Sequence, residues 1–284
     1  MTRTTAFILK RHITAAETGR TACDYLAEHS ALSRSAIKDA MNKGAVWLGR
    51  WNGRSRTRKR LRRATTELRD DDILELYYDP AVLALEPPAA ALLAREARYS
   101  VWYKPPGLLA QGTLYGDHCS MLRQVEKGVG AAYLVHRLDR EAGGLMLFAH
   151  DGAAAGRLSA LFQGRSIGKR YRLQVVGDLA AVRGRRGLID APLDGRPALT
   201  EFQVLSYDPA HNLTTLEVRI GSGRLHQIRR HLDGIGFPLW GDPRYGRGNK
   251  NDDGLKLVAV ELVFQCPFAG MERRYRLAEE HIGF

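Results

Sequence analysis

Four segments of the 284-residue chain combine residue types and spacings that could do chemistry. The first is H-R-L-D-R-E-A-G-G, 136–144, which sets Asp139 between Arg137 and Arg140 and runs into the apolar L-M-L-F-A of 145–149. The second is G-K-R-Y-R-L, 168–173, the third G-S-G-R-L-H-Q-I-R-R-H-L, 221–232, and the fourth L-W-G-D-P-R-Y-G, 239–246. A carboxylate just ahead of a sheet-core strand needs a cation. In the third segment Leu225, Ile228, Leu232 and Ile235 recur at helical spacing, and Arg229 borders that stripe. Arg229 is therefore expected to be half-buried, and a half-buried guanidinium needs a carboxylate. Asp139 and Arg229 are expected to answer each other's need. Arg230 reads as a solvent-facing arginine. Arg224 is expected in the first turn of the helix, where a cation opposes the dipole and is tolerated if an anion sits nearby.

A carboxylate beside arginine favours its ionised form. It is a poor general acid and a fit nucleophile or base. That disfavours a glycosidase pair built from Asp139 and Glu141. Metal ligation is not expected either. His226 and His231 stand five apart, which turns them about 140° away from each other on a helix, and the chain has no H-E-x-x-H, cysteine pair or acidic cluster. G-S-G-R lacks the third glycine of a dinucleotide loop. No metal and no cofactor are expected.

Charge narrows the substrate. Lys and Arg total 43 against 31 Asp and Glu, a net charge of +12, and the pI is about 9.8. Such a balance implies a polyanion. Between Arg50 and Arg63 eight residues are basic and none is acidic. A solvated loop would account for such a run, but Arg56, Arg58, Arg60 and Arg62 alternate as one face of an extended segment does. That row suits phosphates, whose contacts are blind to sequence and sensitive to salt. Arg34, Lys38, Arg54 and Lys59 join it as candidate RNA-binding residues. A nucleophilic carboxylate, a basic surface and no cofactor motif together point to chemistry on a nucleic acid sugar or base. No apolar run is long enough to span a membrane, no secretion-signal pattern opens the chain, and three scattered cysteines fit no disulfide framework. A cytoplasmic location and a monomer are the expectations.

The elements that must position these residues are legible as patterns. Thr21 to His29 reads as a helix, Ser33 caps a second one that Gly44 ends, and A-V-W-L-G and Ile73 to Tyr77 read as strands. Residues 1–78 are expected to form a small RNA-binding domain, 79–95 a linker rich in proline and alanine, and 96–284 the catalytic domain. In the last, Leu145 to Ala149 is a buried-type strand, and Asp151 caps a helix that Gly164 stops. Tyr171, Leu173 and Val175 alternate as a half-buried strand, 202–207 and 213–220 form a hairpin, and 257–264 is a late strand. Without a βαβ rhythm, the fold class is α+β, mixed but with a mostly antiparallel sheet, behind a small N-terminal α/β domain.

The motifs resemble those of the RluA-type pseudouridine synthases. H-R-L-D-R-E-A-G-G-L is similar to that family's H-R-L-D-x-x-T-S-G-L, and G-R-L-H-Q-I-R-R-H-L followed by G-F-P-L-W-G-D-P-R-Y-G to its G-R-T-H-Q-I-R-V-H-L and G-x-P-I-x-G-D-x-x-Y-G. Y-K-P-P-G-L-L-A, K-R-Y-R-L and L-V-A-V-E-L-V-F are similar to its N-K-P-x-G-L-x-V, K-x-Y-x-A and L-H-A-x-x-L-x-F. The matches keep the family's order from Tyr99 to Phe268, and the N-terminal part resembles the alpha-L RNA-binding domain many members carry. Ala142 and Gly143 stand where the family usually has Thr and Ser, Leu225 replaces a Thr, and Val258 replaces a His.

The resemblance implies isomerisation of a uridine to pseudouridine, needing neither metal nor nucleotide. It implies that Asp139 acts on the sugar, that Arg229 holds it, and that Tyr171 stacks on the extruded uracil. It further implies that Leu257 walls the base, that Arg137 enters the vacated space, and that His136, Arg224 and Gln227 contact substrate. Flipping the base out costs least in a loop. Ribosomal RNA of the large subunit is the first expected substrate and transfer RNA the second. A non-catalytic RNA-binding or assembly factor on the same fold, and a nuclease using a metal or a His pair, are the rival readings.

Overall fold

The computed structural model describes residues 5–284. Met1 to Thr4, the start of the expected N-terminal domain, lie outside the described residues. In chain order come β1 (Phe7–His12), α1 (Ala22–Ser30), α2 (Arg34–Asn42), β2 (Val46–Trp51), β3 (Arg56–Arg60), β4 (Ile73–Tyr78), α3 (Pro80–Leu83), β5 (Ala91–Arg95), β6 (Tyr99–Lys104) and α4 (Met121–Val129). They are followed by β7 (Tyr133–Leu134), β8 (Gly143–Ala149), α5 (Gly152–Gln163), β9 (Ile167–Val176), α6 (Leu179–Arg183), β10 (Arg186–Asp190), β11 (Leu199–Asp208), β12 (Leu213–Ile220), α7 (Gln227–Gly234), β13 (Leu257–Gln265) and β14 (Glu272–Arg276). No helix among the described residues is long and apolar enough to cross a membrane.

The chain divides into two units. The first holds residues 1–87 together with 111–124. Its sheet runs β1-β4-β2-β3, with antiparallel neighbours throughout. The Thr21 and Ser33 hydroxyls accept from the amides of Asp24 and Ala36, capping α1 and α2 as their sequence suggests. Tyr25, Leu26, Ile37 and Met41 bury the helices against Leu74 and Leu76 of β4.

The second unit holds residues 88–110 and 125–284. Its sheet follows the path β10-β11-β12-β9-β13-β8-β6-β5, with β14 on β13 and β7 on β8. Pairing is antiparallel except where β13 meets β8, Val258 opposite Gly143 and Ala259 opposite Gly144. This is the mixed, mostly antiparallel α+β fold expected. A Cβ on Gly144 would fall 2.4 Å from both the amide nitrogen and the carbonyl oxygen of Ala259, and its φ is 117°, so only glycine admits the close approach of β8 and β13. The seven residues of β8 are all buried, which fits their unbroken apolar run. In β9 Ile167, Lys169, Tyr171, Leu173 and Val175 point inward and alternate with half-exposed residues.

Two boundaries move. The 79–95 segment is not a bare linker. Asp79 caps the short α3 through the amides of Ala81 and Val82, and the alanine-rich part is β5, an edge strand antiparallel to β6. Pairing with a neighbouring strand overrides the helix preference of alanine. Residues 111–124, expected in the catalytic domain, belong with the N-terminal unit. There the Leu114 carbonyl accepts from the Trp47 indole, and Asp117 takes Arg60 and Arg62.

Candidate active site

Arg229 lies on α7 and is 2% exposed. Its guanidinium is fully engaged. Nε and Nη2 donate to the two oxygens of Asp242, each at 2.7 Å, and Nη1 donates to Asp139 Oδ2 at 3.1 Å. Glu141 approaches Nη1 at 3.6 Å. The sequence expectation of an Asp139–Arg229 pair is met, but Arg229 is buried rather than half-buried, and its bidentate partner is Asp242, in the fourth segment. A buried guanidinium needs more than one carboxylate and every N–H satisfied. Asp242 is 1% exposed, and its Oδ1 also accepts from the amides of Arg244 and Tyr245. Burial opposes the Asp242 carboxylate, yet Arg229 and those two amides outweigh it and hold its pKa below the ordinary range. Burial likewise opposes the Arg229 charge, and Asp242 with Asp139 more than restores it.

Asp139 keeps 19% of its side chain exposed. Its partners are Arg229 and the Nε2 of His226 at 3.7 Å, not the flanking arginines. Arg140 instead turns its Nε to the Gly107 carbonyl at 3.2 Å. The loop carrying Asp139 is clamped from below by the K-P-P-G turn after β6. Lys104 Nζ donates to the carbonyls of Pro105, Leu108 and Arg140 at 3.0, 2.7 and 3.1 Å, and the Gly107 amide donates to Arg140 at 2.8 Å. Burial brings the Lys104 pKa down to about 7, with Glu141 and Asp139 pulling it back up. Lys104 thus knits the strand-end turn to the loop that carries Asp139.

The exposed edge of Asp139 faces a cavity of about 280 Å³ lined also by Arg137, Tyr171, Arg224, Arg229 and Leu257. Burial, with a lesser contribution from Asp139, pushes the Tyr171 phenol far up, so the ring stays neutral. An aromatic face, an aliphatic wall and a lone accessible carboxylate suit a flat neutral base beside a reactive sugar. His226 has φ 52°, strained for a non-glycine residue, and its Nδ1 pairs with the Tyr245 hydroxyl at 3.1 Å. Burial lowers its pKa, and Asp139 opposes that shift. Tyr245 also lies 5.2 Å from Arg229 across its ring face. Asp242, Tyr245 and His226 are the positioning groups that pattern reasoning missed. The signal for Asp242 and Tyr245 was present in the fourth segment, where an aspartate and a tyrosine share a short turn, and His226 stood in the third, weighed only as a metal ligand.

A profile described as RNA pseudouridylate synthase matches residues 98–233. An RNA pseudouridine synthase of Aquifex aeolicus is 31% identical over 240 residues, 75% of this chain and 72% of that one. The ribosomal large subunit pseudouridine synthase D of Zymomonas mobilis is 31% identical over 78% of this chain and 68% of its own.

The chain belongs to the RluA-type RNA pseudouridine synthases.

The dual-specificity synthase RluA of Vibrio vulnificus is 34% identical over 185 residues, covering 58% of this chain and 73% of its own. Human RNA pseudouridylate synthase domain containing 1 shares the fold at a TM-score of 0.58 and 20% identity, over 69% of this chain and 86% of that one.

In the synthase the departures from the family pattern fall in two places. Gly143 and Val258 are cross-strand partners on β8 and β13 and do not line the catalytic cavity, whereas Ala142 and Leu225 do. Leu225 is not on the helix stripe. It precedes α7 and is 57% exposed at the cavity. The reason is local. The Gln227 carboxamide oxygen accepts from the Ser222 hydroxyl and the Arg224 amide at 2.7 and 3.2 Å, folding 222–226 back as a loop. Arg224 accordingly sits in that loop, not in a helical turn. Gln227 also donates to Leu199 and Thr200, so its polar atoms shape the cavity rim and are spoken for by protein partners. His136 is turned away from the cavity. Its Nε2 accepts from the Leu147 amide at 2.9 Å, its ring stacks on Phe162 at 4.2 Å, and burial takes its pKa to about 3. It ties the loop that carries Asp139 to β8 and α5.

The arginine row of the N-terminal unit is also corrected. Arg56 pairs with Asp71, Arg58 with Glu75, Arg60 and Arg62 with Asp117, and Arg34 with Asp24. Arg58 and Arg60 both lie 4.3 Å from Trp47 across its ring. Alternation along β3 did put one row on one face, but that face meets the chain's own carboxylates. Among the described residues Lys38, Arg54 and Lys59 have no carboxylate partner.

Proposed function

We propose that the enzyme converts a specific loop uridine of large-subunit ribosomal RNA to pseudouridine through Asp139. The observation that carries this reading is a single accessible carboxylate, oriented by Arg229, on a cavity walled by Tyr171 and Leu257. Asp139 acts on the ribose of the extruded uridine, either attacking the anomeric carbon or removing the 2′ proton. In both routes the bond between the sugar and nitrogen 1 breaks, the uracil turns, and carbon 5 bonds to the anomeric carbon as the Asp139–sugar bond breaks or the 2′ proton returns; the carbon 5 proton then leaves and nitrogen 1 ends protonated. Tyr171 stacks on the detached base and Leu257 closes its other side, so the base is retained while it rotates. Arg229, fixed by Asp242, keeps the reacting carboxylate aimed at the sugar. Arg137, exposed beside Asp139, fills the gap left in the RNA. The N-terminal unit binds RNA by shape and phosphate contacts. Two similar proteins that carry the name ribosomal large subunit pseudouridine synthase D support the choice of RNA.

Deletion of the gene followed by chemical mapping of pseudouridine in ribosomal and transfer RNA tests this. One or a few large-subunit sites should vanish and return with the wild type but not with Asp139→Asn. That variant should lose on the order of a hundred- to ten-thousandfold in rate while still binding RNA. Loss confined to transfer RNA would move the substrate, and restoration by Asp139→Asn would remove Asp139 from the chemistry.

A further inference from the structure

Behind Tyr171 a second cavity of about 410 Å³ adjoins the catalytic one and shares Arg137, Tyr171 and Arg224 with it. Its other charged lining residues are Arg165 and Lys169, and among the described residues no carboxylate lines it. Lys169 is 9% exposed. Its ammonium makes one long hydrogen bond, 3.4 Å to the Ser222 carbonyl, and has no carboxylate partner among the described residues. Burial lowers its pKa and Arg165 lowers it further. The Nε of Arg224 is buried without a hydrogen-bond partner. The other basic residues of β9 differ. Arg170 pairs with Glu217 and Glu261, and Arg172 with Glu279. A buried cation without a counter-ion is costly, so this cavity is built for an anion that arrives from outside.

We propose that Lys169, with Arg224 at its rim, binds a backbone phosphodiester next to the target uridine. The inference rests on the RNA reading above and names a further part of that substrate. Lys169 and Tyr171 are successive inward residues of β9, about 7 Å apart along the strand. That is the scale separating a nucleotide's base from its phosphates. The strand's alternation therefore presents base and phosphate sites side by side, and the phosphate contact sets how deeply the uridine enters.

The test uses the full-length enzyme and a synthetic RNA stem-loop around the uridine found by the deletion mapping. Linkages flanking that uridine are replaced singly by neutral methylphosphonates. Lys169→Met should raise KM roughly tenfold, the size of a lost charged hydrogen bond, with kcat little changed, while Lys169→Arg stays near wild type. One methylphosphonate should cost the wild type that same factor and cost Lys169→Met nothing more. Because an uncompensated buried charge is removed, the Tm of Lys169→Met should rise. An unchanged KM, a lowered Tm with unchanged KM, or equal penalties in both proteins at every linkage would overturn the proposal. Should Lys169→Met fail to fold, a wild type indifferent to every methylphosphonate overturns it as well. Failure of the wild type to form pseudouridine at all is a separate result, which removes the RNA reading on which the site depends.

Discussion

Arg229 makes the site possible by carrying one charge between two carboxylates that do different jobs. Asp242 is buried, receives two backbone amides as well as the guanidinium, and holds Arg229 in place. Asp139 takes only Nη1 and keeps an open edge toward the cavity. The division has a measurable consequence. Asp242→Asn takes away the bidentate carboxylate and leaves buried Arg229 with Asp139 and the more distant Glu141, and breaking a buried pair costs about 3–5 kcal/mol. It should lower the urea midpoint and, with Asp139 as the proposed reacting group, reduce kcat more than it raises KM, because that role places the misaimed carboxylate in the chemical step. A variant that loses stability at unaltered kcat would show that Asp242 serves folding alone. Asp139 with Arg229 was legible in the sequence because each charge demanded a partner. Asp242 was quoted as part of a motif but not assigned, because nothing in the turn G-D-P-R-Y-G states which distant cation it meets.

At the scale of elements, the loop that carries Asp139 is held at both ends by strands. The turn after β6 clamps it through Lys104, and β8 holds it through the Leu147 amide on His136. The loop's anchor titrates. The His136 pKa stands at about 3 in the folded protein against 6.5 for the free side chain. Between those values the unfolded chain binds the proton and the folded chain does not. The stability that neutral His136 contributes is thus complete above pH 6.5 and is lost as pH falls toward 3. Paired carboxylates also lose stability in acid, so the comparison must be with a non-titrating residue. The Tm difference between wild type and His136→Gln should be largest at neutral pH and narrow between pH 6.5 and 3. A constant difference would mean that His136 does not titrate in that window. The strand and helix patterns themselves were readable from the alternation of β9 and the caps of α1, α2 and α5. The start of α7 was not, because a side chain, Gln227, holds the preceding loop out of the helix against the pull of an apolar pattern.

For the whole molecule, a net charge of +12 overstates what is free to meet RNA. The acids of the N-terminal unit neutralise most of its arginine row, so its phosphate contacts should come from the residues left over. Lys59→Gln should therefore reduce the slope of log affinity against log salt by roughly 0.7–0.9, one phosphate contact. Arg58→Gln should leave the slope and instead destabilise the unit, since Glu75 is buried and loses a partner. Equal slope changes in both variants would mean that the ion pairs open when RNA binds.

By itself the sequence determined the α+β class, the strands and caps, the pairing of Asp139 with Arg229, and the family. Those features depend on local periodicity, on motifs of short span and on the cost of leaving a charge unpaired. Tertiary structure alone decided that Asp242 braces Arg229, that β3 arginines face acids on β4, just before it and in the 111–124 segment, and that Lys169 faces a cavity with no counter-ion among the described residues. Each depends on strand register and on which segments the chain path brings together. Coulomb energy depends on distance in space and carries no record of the separation along the chain.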